Sequence, residues 1–179
     1  MADFNLAQKF VSLAEGGYTD NPLDNGNWTG GQKDLGDLIG TNHGISAPTL
    51  CQWYHRKATK SDMQNLPYSV ALEIYKKNYW DALDLSDLHN QSLALLIYDG
   101  AVNQGVAKMT TFIKATLEEM DVHVAKNEDV RSLISKINSV PNDKFFEIFW
   151  NIRKSAYNSK SPFYKGWIKR LEKIKFFNF

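Results

Sequence analysis

The sequence predicts a mainly α-helical fold of about eight helices, with one small irregular hairpin and loop lobe near the N-terminus. Apolar residues recur at three- and four-residue steps through most of the chain, which is typical of amphipathic helices. Residues 16–46 differ, because they hold eight of the eleven glycines and are rich in Asn, Asp and Thr. A loop of this length is uncommon in a compact domain unless it carries function, so we expect it to form the wall of a cleft.

The first helix is predicted over residues 3–15, with Asp3 near its start and Gly16-Gly17 as the stop signal. Glu15 therefore ends this helix, where the negative end of the macrodipole disfavours an anion. The dipole and any burial would both favour the protonated carboxyl, which is the form that a general acid needs. A solvated glutamate in front of a glycine cap is the alternative interpretation.

Asn25-Gly26 is a tight-turn signal within the glycine-rich stretch. Residues 18–19 and 28–29 flank it as possible short strands, so the pattern predicts a small hairpin around this turn.

Helical patterns fill the rest of the chain. Residues 93–101 are nearly all apolar and predict a central buried helix, on which we expect Asp99 and Asn103 to tie helices together. Further stripes cover residues 109–120 and 130–137, separated by a polar turn at 121–128. The remaining starts are predicted at Ser46-Ala47-Pro48, Asn65-Leu66-Pro67, Asp87 or Asn90, Asn142-Asp143 and Ser161-Pro162.

The net charge of +1 is no signature of a polyanion-binding protein. Residues 150–179 nevertheless carry eight Lys or Arg against one acid. We interpret this basic tail as the solvated face of a terminal helix and expect no nucleic acid as partner, although a nucleic-acid-binding helical protein is the rival that the tail suggests.

Cys51 is the only cysteine, so no intramolecular disulfide can form. The four histidines are scattered without metal-type spacing, and phosphate-loop and nucleophile motifs are absent, so we expect no metal and no cofactor. No signal peptide is visible, and no apolar run approaches the ~18 residues of a membrane helix. We therefore expect synthesis in the cytoplasm, no membrane insertion and a monomer.

Four ordered blocks of sequence resemble the N-acetylmuramidases of glycoside hydrolase family 108, whose members are often labelled putative secretion-activating proteins. These blocks are Glu15-Gly16-Gly17-Tyr18 with Asp20-Asn21-Pro22-Leu23-Asp24-Asn25-Gly26, Gly40-Thr41-Asn42-His43-Gly44-Ile45-Ser46, Tyr98-Asp99-Gly100-Ala101-Val102-Asn103-Gln104-Gly105, and Arg153 and Tyr157 with residues 163–170. The resemblance covers nearly the whole chain.

The resemblance implies a single lysozyme-like domain in two lobes over residues 1–179, which hydrolyses the glycan strand of peptidoglycan. Residues 1–88 would be the catalytic muramidase region, and residues 89–179 a helical region that the family describes as peptidoglycan-binding. The enzyme would act at the cell wall or in the periplasm after export or lysis, as a phage-type lysin or a bacterial cell-wall enzyme.

By the same resemblance, Glu15 matches the catalytic glutamate, and Asp24 and Thr41 fit the acid and the threonine that complete the site of phage-type lysozymes. The stretch between Gly26 and Thr41 is longer than is usual in the family, so Asp20, Asp34 and Asp37 stay alternatives to Asp24. Substrate contacts are expected from Tyr18, Trp28, Asn42 and His43. A non-catalytic peptidoglycan-binding or secretion-associated protein with the same fold is the alternative function.

Overall fold

The computed structural model describes residues 1–12 and 16–177. These residues form nine α-helices, and they pair in β fashion only at isolated bridges. The mainly α prediction is confirmed, with one helix more than expected. The helices are α1 (Phe4–Ser12), α2 (Ala47–Tyr54), α3 (Lys60–Gln64), α4 (Tyr68–Tyr75), α5 (Gln91–Gln104), α6 (Val106–Glu119), α7 (Val130–Ser139), α8 (Asn142–Ser155) and α9 (Tyr164–Leu171).

The chain divides into two compact units. One is Lys9–Tyr75, and the other combines Met1–Gln8 with Lys76–Phe179. The predicted division into functional regions at residues 88 and 89 stays a prediction.

The larger unit is organised around α5, which is buried along most of its length and packs against α6 and α8. The side chain of Asn90 caps α5 by accepting hydrogen bonds from the backbone N–H groups of Ser92 and Leu93, at 2.9 and 3.1 Å. The predicted central buried helix is therefore confirmed, and Asn90 rather than Asp87 begins it.

Residues 1–8 belong to this larger unit because polar contacts attach them to α5. The Asp3 N–H donates to Gln91 Oε1 at 2.7 Å, and Gln91 Nε2 donates to Asp3 O at 3.0 Å. Farther along both helices, the Tyr98 hydroxyl donates to Gln8 Oε1 in the buried interior.

In the smaller unit, Ser46 stands at the N-cap of α2 and Pro48 lies in its first turn, as predicted. The sequence analysis missed α3, which is only five residues long. It is fixed by a capping box, in which the Thr59 side chain accepts from Asp62 N–H while the Asp62 carboxylate accepts from Thr59 N–H.

The hairpin predicted around Asn25-Gly26 is wrong. The Asp24 carboxylate accepts a hydrogen bond from Gly26 N–H at 2.9 Å, which caps a single 3-10 turn at Asn25–Asn27. The tight hairpin turn lies instead at His43-Gly44, whose positive φ values of 49° and 73° match a type I′ turn. Thr19 pairs with Thr41, and Trp28 pairs with Leu38.

Candidate active site

The backbone around Thr41 is fixed by its pairing with Thr19. Thr41 N–H donates to Thr19 O at 2.8 Å, and Thr19 N–H donates to Thr41 O at 2.9 Å. Gly40, just before this pair, has a φ of +90°, and a Cβ there would lie 2.6 Å from Thr19 O and 2.7 Å from the Tyr18 ring. Glycine at position 40 therefore allows the Tyr18 ring to pack on the backbone beside Thr41.

In the smaller unit, the side-chain oxygens of Asp24 and Thr41 lie close to the same position beside Gly26. A Cβ built on Gly26 would lie 3.3 Å from Asp24 Oδ1 and 3.9 Å from Thr41 Oγ1. Because residue 26 has no side chain, a carboxylate oxygen and a hydroxyl oxygen border the same small space. Asp24 is exposed, and its carboxylate accepts the Gly26 N–H.

The other acids of the loop are placed differently. Asp20 Oδ2 accepts a hydrogen bond from Lys60 Nζ at 2.7 Å, and this contact lowers the pKa of Asp20 and raises the pKa of Lys60. Asp37 pairs with Lys57 at 2.8 Å on the surface, and the exposed Asp34 has a φ of 63° within a turn. Thus two of the three alternatives to Asp24 have a lysine partner.

The predicted substrate-contact aromatics both lie at the surface of this lobe and are half-buried. The Tyr18 hydroxyl donates to Ile39 O at 3.3 Å, and partial burial and the charge of Asp20 raise the pKa of Tyr18. Trp28 Nε1 donates to Pro22 O at 3.0 Å, which fixes the indole over the turn that carries Asp24.

Asn42 and His43 have structural partners. The buried Asn42 side chain donates from Nδ2 to Met63 O at 2.9 Å and to Gln64 O at 3.3 Å, so it attaches the loop to the end of α3. The His43 ring meets the Tyr68 ring edge-on at 5.3 Å. The predicted substrate contacts of both residues stay predictions.

Glu15, the predicted general acid, lies outside the described residues. The end of the predicted first helix, residues 13–15, also lies outside the described residues, and α1 covers Phe4–Ser12.

Sequence reasoning missed Lys60 and α3, which contact both halves of the loop through Asp20 and Asn42. The available signal was Thr59-Lys60-Ser61-Asp62, a capping-box pattern in front of Met63. Within residues 1–12 and 16–177, the side chains form no cluster of three or more His, Cys, Asp or Glu that could hold a metal ion. No described helix is long and apolar enough to cross a bilayer.

The model of the family Glycosyl hydrolase 108 matches residues 8–105, a range that includes the entire polar loop and every predicted site residue. The fold and this match define the chain as a glycoside hydrolase of the peptidoglycan-cleaving kind. It belongs to the glycosyl hydrolase 108 family, as the resemblance predicted.

A solved structure from Brucella abortus, that of SagA, is similar to this chain over nearly its full length. The two share 26% identity with a TM-score of 0.72, and the match covers 96% of this chain and 90% of that chain. The predicted lysozyme-like fold is thereby confirmed. The search of curated proteins gives no match.

Proposed function

We propose that this chain cleaves the glycan strand of peptidoglycan as a lysozyme-like N-acetylmuramidase, with Glu15 as general acid, Asp24 as the second carboxylate and Thr41 as the residue that holds the water. The observation that supports this assignment best is the small space beside Gly26 that Asp24 and Thr41 both border. Asp24 Oδ1 and Thr41 Oγ1 lie 3.3 and 3.9 Å from the position that a Cβ on residue 26 would occupy. Family membership supports the reaction, and this geometry supports the choice of Asp24 and Thr41.

Glycoside hydrolysis needs two carboxyl groups with different duties. In this proposal the protonated Glu15 gives its proton to the glycosidic oxygen as the sugar leaves. Asp24 takes the proton of the attacking water or stabilises the positive charge that develops at the anomeric carbon. The Thr41 hydroxyl accepts or donates one hydrogen bond to that water, and the Thr19 pairing fixes its position.

The exposed parts of the Tyr18 and Trp28 rings suit the apolar faces of pyranose rings. We propose that these two aromatic rings contact the glycan strand beside Asp24 and Thr41. For Asn42 the hydrogen bonds to Met63 O and Gln64 O favour a supporting role over direct contact with sugar. The enzyme reaches peptidoglycan outside the cytoplasm, after export or lysis, and it acts as a monomer.

The test is the release of reducing ends from purified peptidoglycan by the wild type and by Glu15→Gln, Asp24→Asn and Thr41→Val. Each substitution keeps the approximate shape of the side chain and removes the proton donor, the charge or the hydroxyl. Asp34→Asn is the matched control, because Asp34 is an exposed acid in a turn of the same loop.

We expect roughly 100-fold or greater loss for Glu15→Gln, since general acid catalysis contributes ~10²–10⁴-fold. Asp24→Asn should also lose most activity, and Asp34→Asn should keep it. If Glu15→Gln keeps wild-type activity, the assigned acid is wrong. Asp20→Asn is measured beside these variants; if it abolishes activity and Asp24→Asn does not, the second carboxylate is Asp20. Binding of insoluble peptidoglycan without any cleavage by the wild type would favour the non-catalytic alternative.

A further inference from the structure

A cavity of about 280 Å³, with polar atoms on most of its lining side chains, opens in the larger unit between the end of α5 and the segment that joins α8 to α9. This volume is near the lower limit for small-molecule sites, so the cavity suits a chemical group or a short segment rather than a polymer strand. Its walls are Asn103, Gln104, Lys108, Ala156, Tyr157, Asn158 and Trp167.

The hydrogen bond from Arg153 determines the orientation of the Gln104 amide. Arg153 Nε donates to Gln104 Oε1 at 3.1 Å, and because a guanidinium can only donate, the oxygen of this amide must face the arginine. Gln104 Nε2 is left as a buried donor without a hydrogen-bond partner among the described residues. A buried donor of this kind favours a ligand that brings an acceptor.

The other polar walls also offer mainly donors. Tyr157 gives its hydroxyl proton to Asn103 Oδ1 at 3.0 Å, which leaves the Asn103 NH₂ group as the free end of that amide. The Trp167 ring stacks on Tyr157 with ring centres 5.4 Å apart, and indole nitrogen can only donate. Lys108, which is exposed, adds an ammonium group at the wall.

The cluster of charged groups behind the cavity has a net positive charge. Arg153 and Arg170 both bind the buried Asp99, at 2.9 and 2.6 Å, so two cations share one carboxylate. Arg153 connects this positive cluster to the cavity wall through its hydrogen bonds to Gln104 and to the Tyr157 hydroxyl. Donors, an ammonium group and an excess positive charge together attract an anion.

We propose that this cavity is a carboxylate-binding subsite, and that its ligand is a free carboxylate of the peptide part of peptidoglycan. The single lysine in the wall matches a singly charged carboxylate better than a phosphate dianion, and the amide donors match its two oxygens. The proposal rests on peptidoglycan as the polymer that the enzyme acts on, and not on the catalytic assignment of Glu15.

The test is a titration of the full chain, followed by NMR, with a sugar-free stem peptide whose carboxylates are free. The same peptide with amidated carboxylates and inorganic phosphate are the comparison ligands. The peptide lacks the glycan strand that the proposed active site cleaves, and the positions of the shifted resonances show whether it binds at this cavity. It is made on both wild type and Glu15→Gln, which separates it from catalysis.

Gln104→Glu is the variant that tests the proposed donor most directly, because it keeps the oxygen that Arg153 binds and replaces the free NH₂ with a second oxygen. The excess positive charge of Arg153 and Arg170 should allow it to fold. Lys108→Gln removes the ammonium group. Matched controls are Gln52→Glu and Lys126→Gln, which make the same changes at exposed positions of α2 and of the turn after α6.

We expect the free peptide to shift the resonances of Gln104, Lys108 and Trp167, and the amidated peptide to bind roughly tenfold or more weakly, the loss typical of a charge-assisted hydrogen bond. Gln104→Glu and Lys108→Gln should weaken binding, and Glu15→Gln and both controls should not. Equal binding of the free and amidated peptides, or unchanged binding in Gln104→Glu, overturns the proposal. Tighter binding of phosphate than of the peptide also overturns it, because the site would then serve a phosphate ligand.

Discussion

Asp99 and Arg153 form an ion pair of 2.9 Å with both side chains almost completely inaccessible to solvent. Asp99 lies on α5 and Arg153 on α8, so the pair joins the two helices at the centre of the larger unit. Arg153 also donates to Leu96 O at 2.6 Å, and Arg170 binds the second oxygen of Asp99. A single buried carboxylate therefore binds guanidinium groups from two different helices.

Asp99→Asn should destabilise the protein by about 3–5 kcal/mol, because removal of one partner from a buried pair leaves uncompensated charge. Urea denaturation followed by circular dichroism measures the effect. Asp143→Asn is the control, since Asp143 is exposed on α8 and should change the free energy of unfolding by less than ~0.5 kcal/mol. Equal stability of both variants would show that the arginines are solvated when Asp99 is neutral.

Gly100→Ala should be destabilising by about 1–3 kcal/mol from overpacking, although alanine is the better helix former. A Cβ at residue 100 would lie 2.2 Å from Met109 Sδ and 2.9 Å from Arg153 Nε. Gly166→Ala, within α9, is the matched control because a Cβ there meets no atom within 4 Å among the described residues. That control should stabilise by about 1 kcal/mol, and thermal melting should show opposite signs for the two variants.

Asn42→Ala should lower both stability and activity, because it removes the hydrogen bonds that attach the residue after Thr41 to α3. The expected cost is about 1–3 kcal/mol for the buried amide, with a fall in kcat for peptidoglycan. Asn65→Ala is the control, because that amide also donates to a helix carbonyl, at 2.9 Å, but in an exposed position. A rise in KM with unchanged stability would indicate direct substrate contact instead.

Glu128→Gln should lose stability at neutral pH but little at low pH. Hydrogen bonds from Lys136, Ser132 and the Ala125 N–H lower the pKa of Glu128 from 4.5 to about 2. A carboxyl with a lowered folded-state pKa stabilises the protein above its unfolded pKa, and this contribution is lost as the pH falls through the folded pKa.

The difference in melting temperature between wild type and Glu128→Gln should therefore be constant above pH 5 and shrink from about pH 4.5 to about pH 2. Glu147→Gln, an exposed acid on α8, should show no such pH-dependent difference. A gap that persists at pH 2 would mean that the Glu128 charge is not its source.

The sequence predicted the long helices well because their signals are local. Ser46 before Ala47-Pro48 predicts the start of α2, and a nearly continuous apolar run predicts α5 with Asp87 or Asn90 at its start, of which the structure has Asn90. Helix α3 was missed because five residues with one buried side chain, Met63, provide too little periodicity. The resemblance gave the family and the fold, which the family match and the SagA structure confirm.

The loop was harder to predict because competing side-chain contacts decide its course. Asn25-Gly26 is a strong hairpin signal in isolation, but the preceding Asp24 takes the Gly26 N–H and makes a 3-10 turn. The hairpin turn falls at His43-Gly44, where Asn42 is attached to α3 by contacts 21 and 22 residues away in sequence. No local pattern shows a contact between residues so far apart in sequence.

The partners of Asp99 have a consequence for how this enzyme can be divided or recombined. The family match ends at residue 105, yet the two guanidinium groups that bind Asp99 come from residues 153 and 170. A gene fragment that encodes only the matched range would produce α5 with the Asp99 carboxylate lacking both arginine partners. The matched range therefore lacks the groups that pair with its own buried carboxylate, and a chimera that exchanges the C-terminal half needs arginines that reach Asp99.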